Sequence, residues 1–348
     1  MNIYKKWLLQ LTLTSILLLS PILIVVMGFN YYIDPLWNFN HANDYNDYQM
    51  GFDERQQKTN YITTRPFAYD SLIIGTSRVS YMDQHQFQKN DVYNYSLSEM
   101  HIDEYLPYIN YAKKQKNGSF DKIYMELYFE SFKIVSSPYK EPSVFFENAS
   151  NPLYKYTTLF SRNTWEQSMT NLAYSKANHF GGLKSYNRDN VGTTTYVNDN
   201  MNEAWKKSIA QFEQNKATNN YPYDPAYKKK LELLMQENPK TQFIVFTDPI
   251  PSVKLKAILN DPLYWNVYER WIYELIDVFG EVHSFQAVSE YTTNEKYWFD
   301  GAHYYPIIGD KMIAHLEGRE QDPSFHILVN KDNIEEYLAT LQTMIHTP

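Results

Sequence analysis

The sequence predicts an α/β fold in which helices alternate with the strands of a parallel β-sheet, preceded by one membrane-spanning helix. Short apolar runs that stop at turn-forming residues are typical of buried parallel strands. Amphipathic helical patterns separate these runs along the chain, as a parallel sheet requires. An uncharged stretch from Trp7 to Phe29 stands apart from both patterns and indicates the span.

The apolar stretch is long enough to cross a bilayer. At 1.5 Å per helical residue, about 23 residues reach across about 30 Å of hydrocarbon. Lys5 and Lys6 precede the stretch and the first charge after it is Asp34, so the positive-inside rule places the amino terminus in the cytoplasm. A cleavable signal peptide is the alternative. The stretch does not end in a small-x-small cleavage site, which favours an uncleaved single-pass anchor in the cell membrane.

Three apolar runs are predicted to be core strands, and further elements follow from periodicity. The core strands are residues 71–74, 122–129 and 242–247, with a short strand at 282–285 and an edge strand at 325–329. Helices are predicted at residues 101–116, 227–237, 264–279 and 309–316, and a last helix, capped by Asp332, carries an apolar face from Ile334 to Ile345.

The predicted domain organisation has three parts. Residues 1–30 form a cytoplasmic tip and the membrane anchor, residues 31–65 a juxtamembrane connector, and residues 66–348 an extracytoplasmic domain. Within this domain, residues 136–225 break the strand and helix alternation. They are predicted to be a mostly helical insertion over one end of the sheet, with helices around 163–174 and 202–215.

Composition excludes several kinds of chemistry. A net charge of −8 and a pI near 5.6 argue against nucleic acid as a partner. The absence of cysteine removes disulfides, thiolate metal sites and cysteine nucleophiles, so covalent chemistry falls to Ser, Thr, Lys or a carboxylate. The 32 tyrosines suit sugar-stacking surfaces or simply a tyrosine-rich core.

A hydroxyl-bearing turn follows the first predicted strand. Gly75-Thr76-Ser77-Arg78 comes directly after the 71–74 run, and open α/β folds keep their ligand sites at the carboxyl ends of the strands. A helix beginning near residue 78 would also direct free N–H groups toward an oxyanion. The alternative is a strand-to-helix turn in which the serine is only a cap.

An aspartate and a histidine three residues apart lie near the end of the α/β region. Asp300 and His303 fall in the turn-prone segment FDGAHYYP, before a predicted helix. The spacing allows His303 to act as general base while Asp300 fixes its tautomer and stabilises its cation. A strand followed by Gly-Thr-Ser early in the chain and a DxxH segment late is a stronger signal than either motif alone.

With this order of motifs the chain resembles the SGNH/GDSL hydrolase superfamily, and more closely the membrane-anchored SGNH-like proteins of bacterial cell-envelope polysaccharide systems. That group includes O-acyltransferases and esterases. The resemblance spans about residues 30–345 and rests on NYYIDP at 30–35, ERQQK at 54–58, residues 70–78, NYSLS at 94–98, and FDGAHYYP at 299–306 with Gly309-Asp310. It implies a three-layer α/β/α, flavodoxin-like parallel sheet, with Ser77 as nucleophile and Asp300 and His303 completing the triad.

Two blocks depart from the family pattern. The glycine that usually contributes an oxyanion N–H corresponds to Glu99, which keeps its backbone donor. The Asn or Asp that usually follows the next strand is replaced by a segment with Glu126 and Tyr128, neither of which is a simple substitute. The expected oxyanion and substrate-binding residues are Asn94, Ser98, Glu99, Arg78 and Tyr128.

Other charged residues have two interpretations each. Arg78 either contacts an anionic substrate or forms a salt bridge to the carboxylate at 99 or 126. The charged residues at 54, 55 and 58 either line the cleft or form a structural ion-pair cluster, which is the favoured interpretation.

No cofactor and no metal are expected. HExxH, EF-hand, dinucleotide-binding and P-loop motifs are absent from the sequence. The histidines other than His303 lack metal-ligand spacing; they are His41, His85, His101, His179, His283, His315, His326 and His346.

The sequence therefore predicts a bitopic bacterial protein that acts on acyl groups, above all acetyl, of a cell-envelope or secreted polysaccharide. A sugar hydroxyl as acceptor would make it an acyltransferase and water an esterase. The anchor favours transfer, because a tethered domain can meet a membrane-bound acyl-donor protein. The alternative is a non-catalytic scaffold in a polysaccharide or teichoic-acid assembly complex. A hydrogen-bonded contact between Ser77 and His303 separates the two hypotheses.

Overall fold

A computed structural model describes residues 2–134, 138–177, 182–218 and 223–347. The predicted insertion boundary at residue 136 and His179 lie outside these residues. The helices are α1 (Ile3–Ile33), α2 (Glu54–Thr64), α3 (Ile102–Lys116), α4 (Pro142–Ser150), α5 (Tyr154–Thr157), α6 (Arg162–Lys176), α7 (Met201–Thr218), α8 (Tyr227–Gln236), α9 (Ser252–Leu259), α10 (Pro262–Phe279), α11 (Glu290–Thr293), α12 (Pro306–Leu316) and α13 (Ile334–His346). The strands are β1 (Tyr48–Met50), β2 (Ser71–Ile74), β3 (Val92–Asn94), β4 (Lys122–Glu126), β5 (Ser185–Asn187), β6 (Gly192–Thr193), β7 (Gln242–Phe246), β8 (Glu281–Ser284) and β9 (Ile327–Asn330).

The chain divides into two compact units, each built from two segments. Met1–Pro66 and Ser143–Asp189 form the first, called the anchor unit below. Phe67–Pro142 and Asn190–Pro348 form the second, called the sheet unit. The segment Ser143–Asp189, which the sequence assigns to an insertion in the extracytoplasmic domain, thus groups with the first 66 residues instead.

The sheet unit contains a mixed sheet that, in the described part of the chain, has six strands in the order β3-β2-β4-β7-β8-β9. All neighbouring strands are parallel except β8 and β9, which pair antiparallel. All four residues of β2 are buried, as expected for a strand inside a parallel sheet. The α/β prediction is confirmed. The edge strand predicted at residues 325–329 corresponds to β9, and its antiparallel direction is not encoded in the side-chain pattern.

Three of the strands end at the same edge of this sheet. Ile74, at the end of β2, lies opposite Met125, and Glu126, at the end of β4, lies opposite Phe246, at the end of β7. The loops that follow β2, β4 and β7 therefore begin side by side. This places the Gly-Thr-Ser turn, the segment after Glu126 and Asp248 at one sheet edge.

The anchor unit begins with α1, the one described helix that is long and apolar enough to cross a membrane, as an anchor or a signal sequence. Strand β1 pairs antiparallel with β5. The predicted connector holds α2, a polar helix that is nevertheless mostly buried. Its amides bind the chain just after α1: Gln57 Nε2 donates to Pro35 O at 2.6 Å, and Asn60 Nδ2 donates to Leu36 O at 2.9 Å.

Two local expectations are wrong. The chain after Ser77 forms only a three-residue 3₁₀ turn, Val79–Tyr81, so no long helix directs its dipole at the serine. Asn333, not Asp332, is the N-cap residue of α13, and its side chain makes no capping hydrogen bond. Asn333 Oδ1 instead accepts from Asn330 N at 2.8 Å, which closes the turn after β9.

Candidate active site

Ser77, His303 and Asp300 lie in hydrogen-bonded sequence. Ser77 Oγ is 2.8 Å from His303 Nε2. On the far side of the ring, His303 Nδ1 is 2.9 Å from Asp300 Oδ2 and 3.1 Å from Oδ1. Because an ionised carboxylate only accepts hydrogen bonds, Nδ1 carries the proton and Nε2 is left to accept the hydrogen of the serine hydroxyl.

The turn that carries Ser77 is fixed by a close approach to β4. The Thr76 N–H and hydroxyl both donate to the Glu126 carboxylate. A Cβ at Gly75 would lie 2.6 Å from Glu126 Cβ and 2.6 Å from Val79 Cγ2, so only glycine fits between them. The glycine of the Gly-Thr-Ser motif is therefore required by packing against β4.

The loop that carries the other two residues is held by its own backbone and by α7. Asp300 Oδ1 accepts from the N–H groups of Ala302 at 2.8 Å and His303 at 2.7 Å. Burial opposes the charge on Asp300, but hydrogen bonds from His303 and from these two backbone groups outweigh it and lower the pKa of Asp300. A Cβ at Gly301 would lie 2.7 Å from Ser208 Cβ on α7, so the loop sits directly against that helix.

Arg78 pairs with two buried carboxylates rather than with Glu99. Its Nε is 3.2 Å from Asp248 Oδ2, and its Nη1 is 3.7 Å from Glu126 Oε1. Burial, together with the charge of Asp248, raises the pKa of Glu126 to about 7. Burial also raises the pKa of Asp248, although Arg78 opposes that shift. The salt-bridge interpretation of Arg78 thus matches the structure.

Sequence reasoning did not single out Asp248 for the site. Its position in the sequence could have indicated it: Asp248 follows β7 by two residues and precedes a proline, at the sheet edge that also carries Ser77.

The other expected binding residues occupy different surroundings. Asn94 is buried, and its amide donates to Val79 O at 2.8 Å and Met82 O at 2.9 Å, so it holds the turn after Ser77 in place. Leu97 N donates to Gly75 O at 2.9 Å, which brings the loop with Ser98 and Glu99 next to the nucleophile turn.

Glu99 has the backbone conformation that a glycine prefers. Its φ of 52° is in the left-handed region. Its carboxylate accepts a hydrogen bond from the Tyr139 hydroxyl at 3.3 Å. Within the described residues, the N–H groups of Ser77 and Glu99 donate to no protein acceptor, which leaves both available to an oxyanion.

A cavity of about 530 Å³ opens beside His303. Its wall includes Tyr128, Asp248, Lys254 and the inner face of α7. The Arg78 guanidinium lies 5.9 Å from the Tyr128 ring centroid. Lys207 and Lys254 also line the cavity, and neither ammonium has a hydrogen-bond or ion-pair partner in the described part of the chain. The cavity has room for one or two sugar rings or a comparable group.

The described residues contain no group of three or more His, Cys, Asp or Glu side chains that could hold a metal ion. Three of the remaining histidines, His283, His315 and His326, do cluster. His283 Nδ1 is 2.9 Å from His326 Nε2. In the anchor unit, Glu54 pairs with Lys184 and accepts from the Tyr186 hydroxyl at 2.8 Å, in line with a structural ion-pair cluster.

The chain has no significant match among protein-family models, curated proteins or solved structures.

Proposed function

We propose that this chain is a membrane-anchored, extracytoplasmic SGNH-type serine O-acyltransferase or esterase. Its substrates are acyl groups, above all acetyl, of a cell-envelope or secreted polysaccharide. The observation that carries the proposal is the continuous hydrogen-bonded sequence Ser77, His303, Asp300, of which His303 and Asp300 line a cavity. A structural serine and histidine would have no need of this orientation, with the carboxylate on the far ring nitrogen.

The strand order supports the finer fold assignment. Numbered along the chain, the parallel strands β2, β3, β4, β7 and β8 are arranged 2-1-3-4-5. This is the order of the flavodoxin-like doubly wound fold, whose ligand site lies where the first and third strands adjoin. Ser77 follows the first of these strands and Tyr128 the third. A three-layer α/β/α arrangement is therefore part of the proposal.

The reaction has two half-steps. Ser77 Oγ attacks the acyl carbonyl carbon while His303 Nε2 takes its proton; the tetrahedral intermediate then collapses, and the donor alcohol leaves with that proton. In the second half-step the oxygen of the acceptor hydroxyl attacks the acyl-serine ester while His303 takes the hydroxyl proton. The ester then breaks, and His303 gives this proton to the Ser77 oxygen. Asp300 stays ionised throughout and stabilises the imidazolium. The Ser77 and Glu99 N–H groups are the proposed oxyanion donors.

The acceptor decides between transfer and hydrolysis. A sugar hydroxyl seated in the cavity beside His303 would give transfer, whereas water would give hydrolysis. The anchor favours transfer from a membrane-bound acyl-donor protein, because both would lie at the same membrane.

The test is covalent labelling and turnover by the full chain in detergent or nanodiscs. We expect a fluorophosphonate to label Ser77 and 4-nitrophenyl acetate to be hydrolysed, with both lost in Ser77→Ala. Ser80→Ala is the matched control, since Ser80 lies in the same turn but its hydroxyl bonds to Ser96 at 3.1 Å. Labelling that persists in Ser77→Ala would remove the proposed nucleophile.

Two features favour the scaffold alternative. The Asn94 amide is occupied by backbone carbonyls, and a glutamate stands in the left-handed position at residue 99. Absence of labelling and of turnover in the folded wild-type chain would support this second function.

A further inference from the structure

Helix α1 changes its environment partway along its length. From Trp7 to Val25 all side chains except Ser20 are exposed. At 1.5 Å per residue, this part of the helix is about 28 Å long. That length is close to the hydrocarbon thickness of a typical bilayer, about 30 Å. From Val26 onward one side of the helix is covered by protein: Asn30 and Ile33 are fully buried, whereas Gly28, Tyr31 and Tyr32 stay exposed.

The cover comes from the anchor unit itself. The Asn30 amide donates to Leu159 O at 2.8 Å, in the 3₁₀ turn Thr158–Phe160. The Phe29 ring meets the Trp165 ring edge-on at 4.9 Å between centroids. If the exposed part of α1 fills the hydrocarbon, Asn30 lies about 7 Å beyond its edge, which is the depth of the lipid headgroups. The chain from Leu153 to Trp165 is then held at headgroup level by direct contacts to the helix.

Large apolar side chains protrude from this covering segment. Leu153 is 66% exposed, Phe160 51% and Tyr156 49%. Tyr31 and Tyr32, on the last turn of α1, are similarly exposed. Exposed leucine and phenylalanine beside tyrosine and tryptophan are typical of surfaces at the membrane interface. Leucine and phenylalanine insert into the acyl-chain boundary, and the polar groups of tyrosine and tryptophan stay at the headgroups.

Basic groups accompany these aromatic residues. The Lys155 ammonium lies 5.2 Å from the Tyr156 ring, and the Arg162 side chain is almost fully exposed while its Nε pairs with Glu166 Oε1 at 2.7 Å. The opposite end of the exposed stretch carries the same pairing, since Lys5 and Lys6 stand beside Trp7. Cations at this depth are complementary to phospholipid phosphates.

We propose that residues 153–165 and the last turn of α1 form a membrane-seated collar, a surface that rests in the headgroup region of the bilayer that α1 crosses. Its partner is the phospholipid bilayer surface. The collar seats the anchor unit on the membrane instead of leaving it on a free tether. This surface rests on the proposed membrane anchor but not on the acyl chemistry proposed for the sheet unit.

The absence of cysteine makes the collar directly testable. Single-cysteine variants Phe160→Cys and Leu153→Cys of the full chain are labelled with an environment-sensitive fluorophore and reconstituted into phosphatidylcholine and phosphatidylglycerol vesicles. Leu17→Cys, in the middle of the exposed stretch, marks the bilayer centre. Phe52→Cys is the matched control, because Phe52 is an exposed phenylalanine of the same unit that is bonded through its N–H to Gln57 on α2.

Spin-labelled lipids and aqueous iodide report the depth of each label. We expect the labels at 160 and 153 to be quenched by headgroup-level spin labels and shielded from iodide. The label at 17 should respond to deep spin labels, and the label at 52 to iodide only. Iodide quenching at 160 and 153 equal to that at 52 would overturn the proposal. So would shielding that disappears when the protein is diluted in lipid, since the occupant would then be a second copy.

Discussion

At the scale of single residues, the site depends on how closely the nucleophile turn approaches β4. Glu126 is wholly buried, accepts two hydrogen bonds from Thr76 and faces Arg78. The motif Gly-Thr-Ser therefore has a different reason for each member: glycine for space, threonine for the carboxylate and serine for the chemistry.

We predict that Gly75→Ala destabilises the sheet unit. The added methyl would overlap Glu126 and Val79, and overpacking of this kind costs about 1–3 kcal/mol. Gly118→Ala is the control, because a Cβ there meets nothing within 4 Å. Urea denaturation followed by circular dichroism measures both, and equal stability losses in the two variants would contradict the packing argument.

Glu126 gives a second prediction, in the pH dependence of stability. Burial and the charge of Asp248 raise its pKa from 4.5 to about 7, so the folded state binds a proton that the unfolded state has released. The contribution of this proton to the free energy of unfolding is fully present below pH 4.5. It is lost as the pH rises through 7, by at most about 1.4 kcal/mol per pH unit.

The glutamine side chain in Glu126→Gln cannot ionise, so this variant should not lose stability as the pH rises through 7. The stability of the variant relative to the wild type should therefore rise between pH 5 and pH 8, measured as the difference in free energy of unfolding. Parallel pH profiles for the two proteins would show that Glu126 is charged throughout the range.

At the scale of elements, the clearest case is the contact among α12, β8 and the chain leading into β9. These elements supply His315, His283 and His326. The His315 and His326 ring centroids are 5.1 Å apart, and those of His283 and His326 are 5.0 Å apart. Burial lowers the pKa of all three, to about 4 for His283 and about 3 for His326. The charges of Glu320 and Asp322 oppose the lowering of the pKa of His315, and the charge of Lys311 adds to it.

We predict that this contact is acid-sensitive. Unfolded histidines bind protons near pH 6.5 while the packed rings stay neutral, so stability is present above pH 6.5 and falls as the pH drops toward 4. In His315→Phe the unfolded state takes up about one proton fewer, so the fall should be shallower. Urea midpoints between pH 4 and pH 7.5 test this, and an unchanged slope in the variant would count against it.

Elements with a clear apolar period were predictable, and those without one were not. Helices α3 and α10 and strand β2 lie close to their predicted positions. Helix α2 was not predicted, because most of its buried residues are polar; two of them, Gln57 and Asn60, are held by hydrogen bonds to residues 35 and 36. Strand β3 is three residues long and was not predicted; only its last residue, Asn94, falls in the motif at residues 94–98.

At the scale of the whole molecule, chain order did not show which segments group together. The sequence places residues 143–189 inside the extracytoplasmic domain, whereas the structure groups them with the first 66 residues. Long-range polar contacts take part in that grouping, such as the buried ion pair of Arg188 with Asp34 at 2.7 Å. Pairings between distant polar side chains leave no periodic signature. The contact of Ser77 with His303 and Asp300 was predictable, because a strand end and a short DxxH spacing are recognisable in the sequence.

That ion pair also imposes an order of events during synthesis. Asp34 and Arg188 are 154 positions apart, and the chain between them includes β2, β3 and β4 of the sheet unit. At about 5–20 residues per second, Asp34 leaves the ribosome about 8–30 s before its partner. Throughout that interval the anchor unit is incomplete while the first strands of the other unit are already being made.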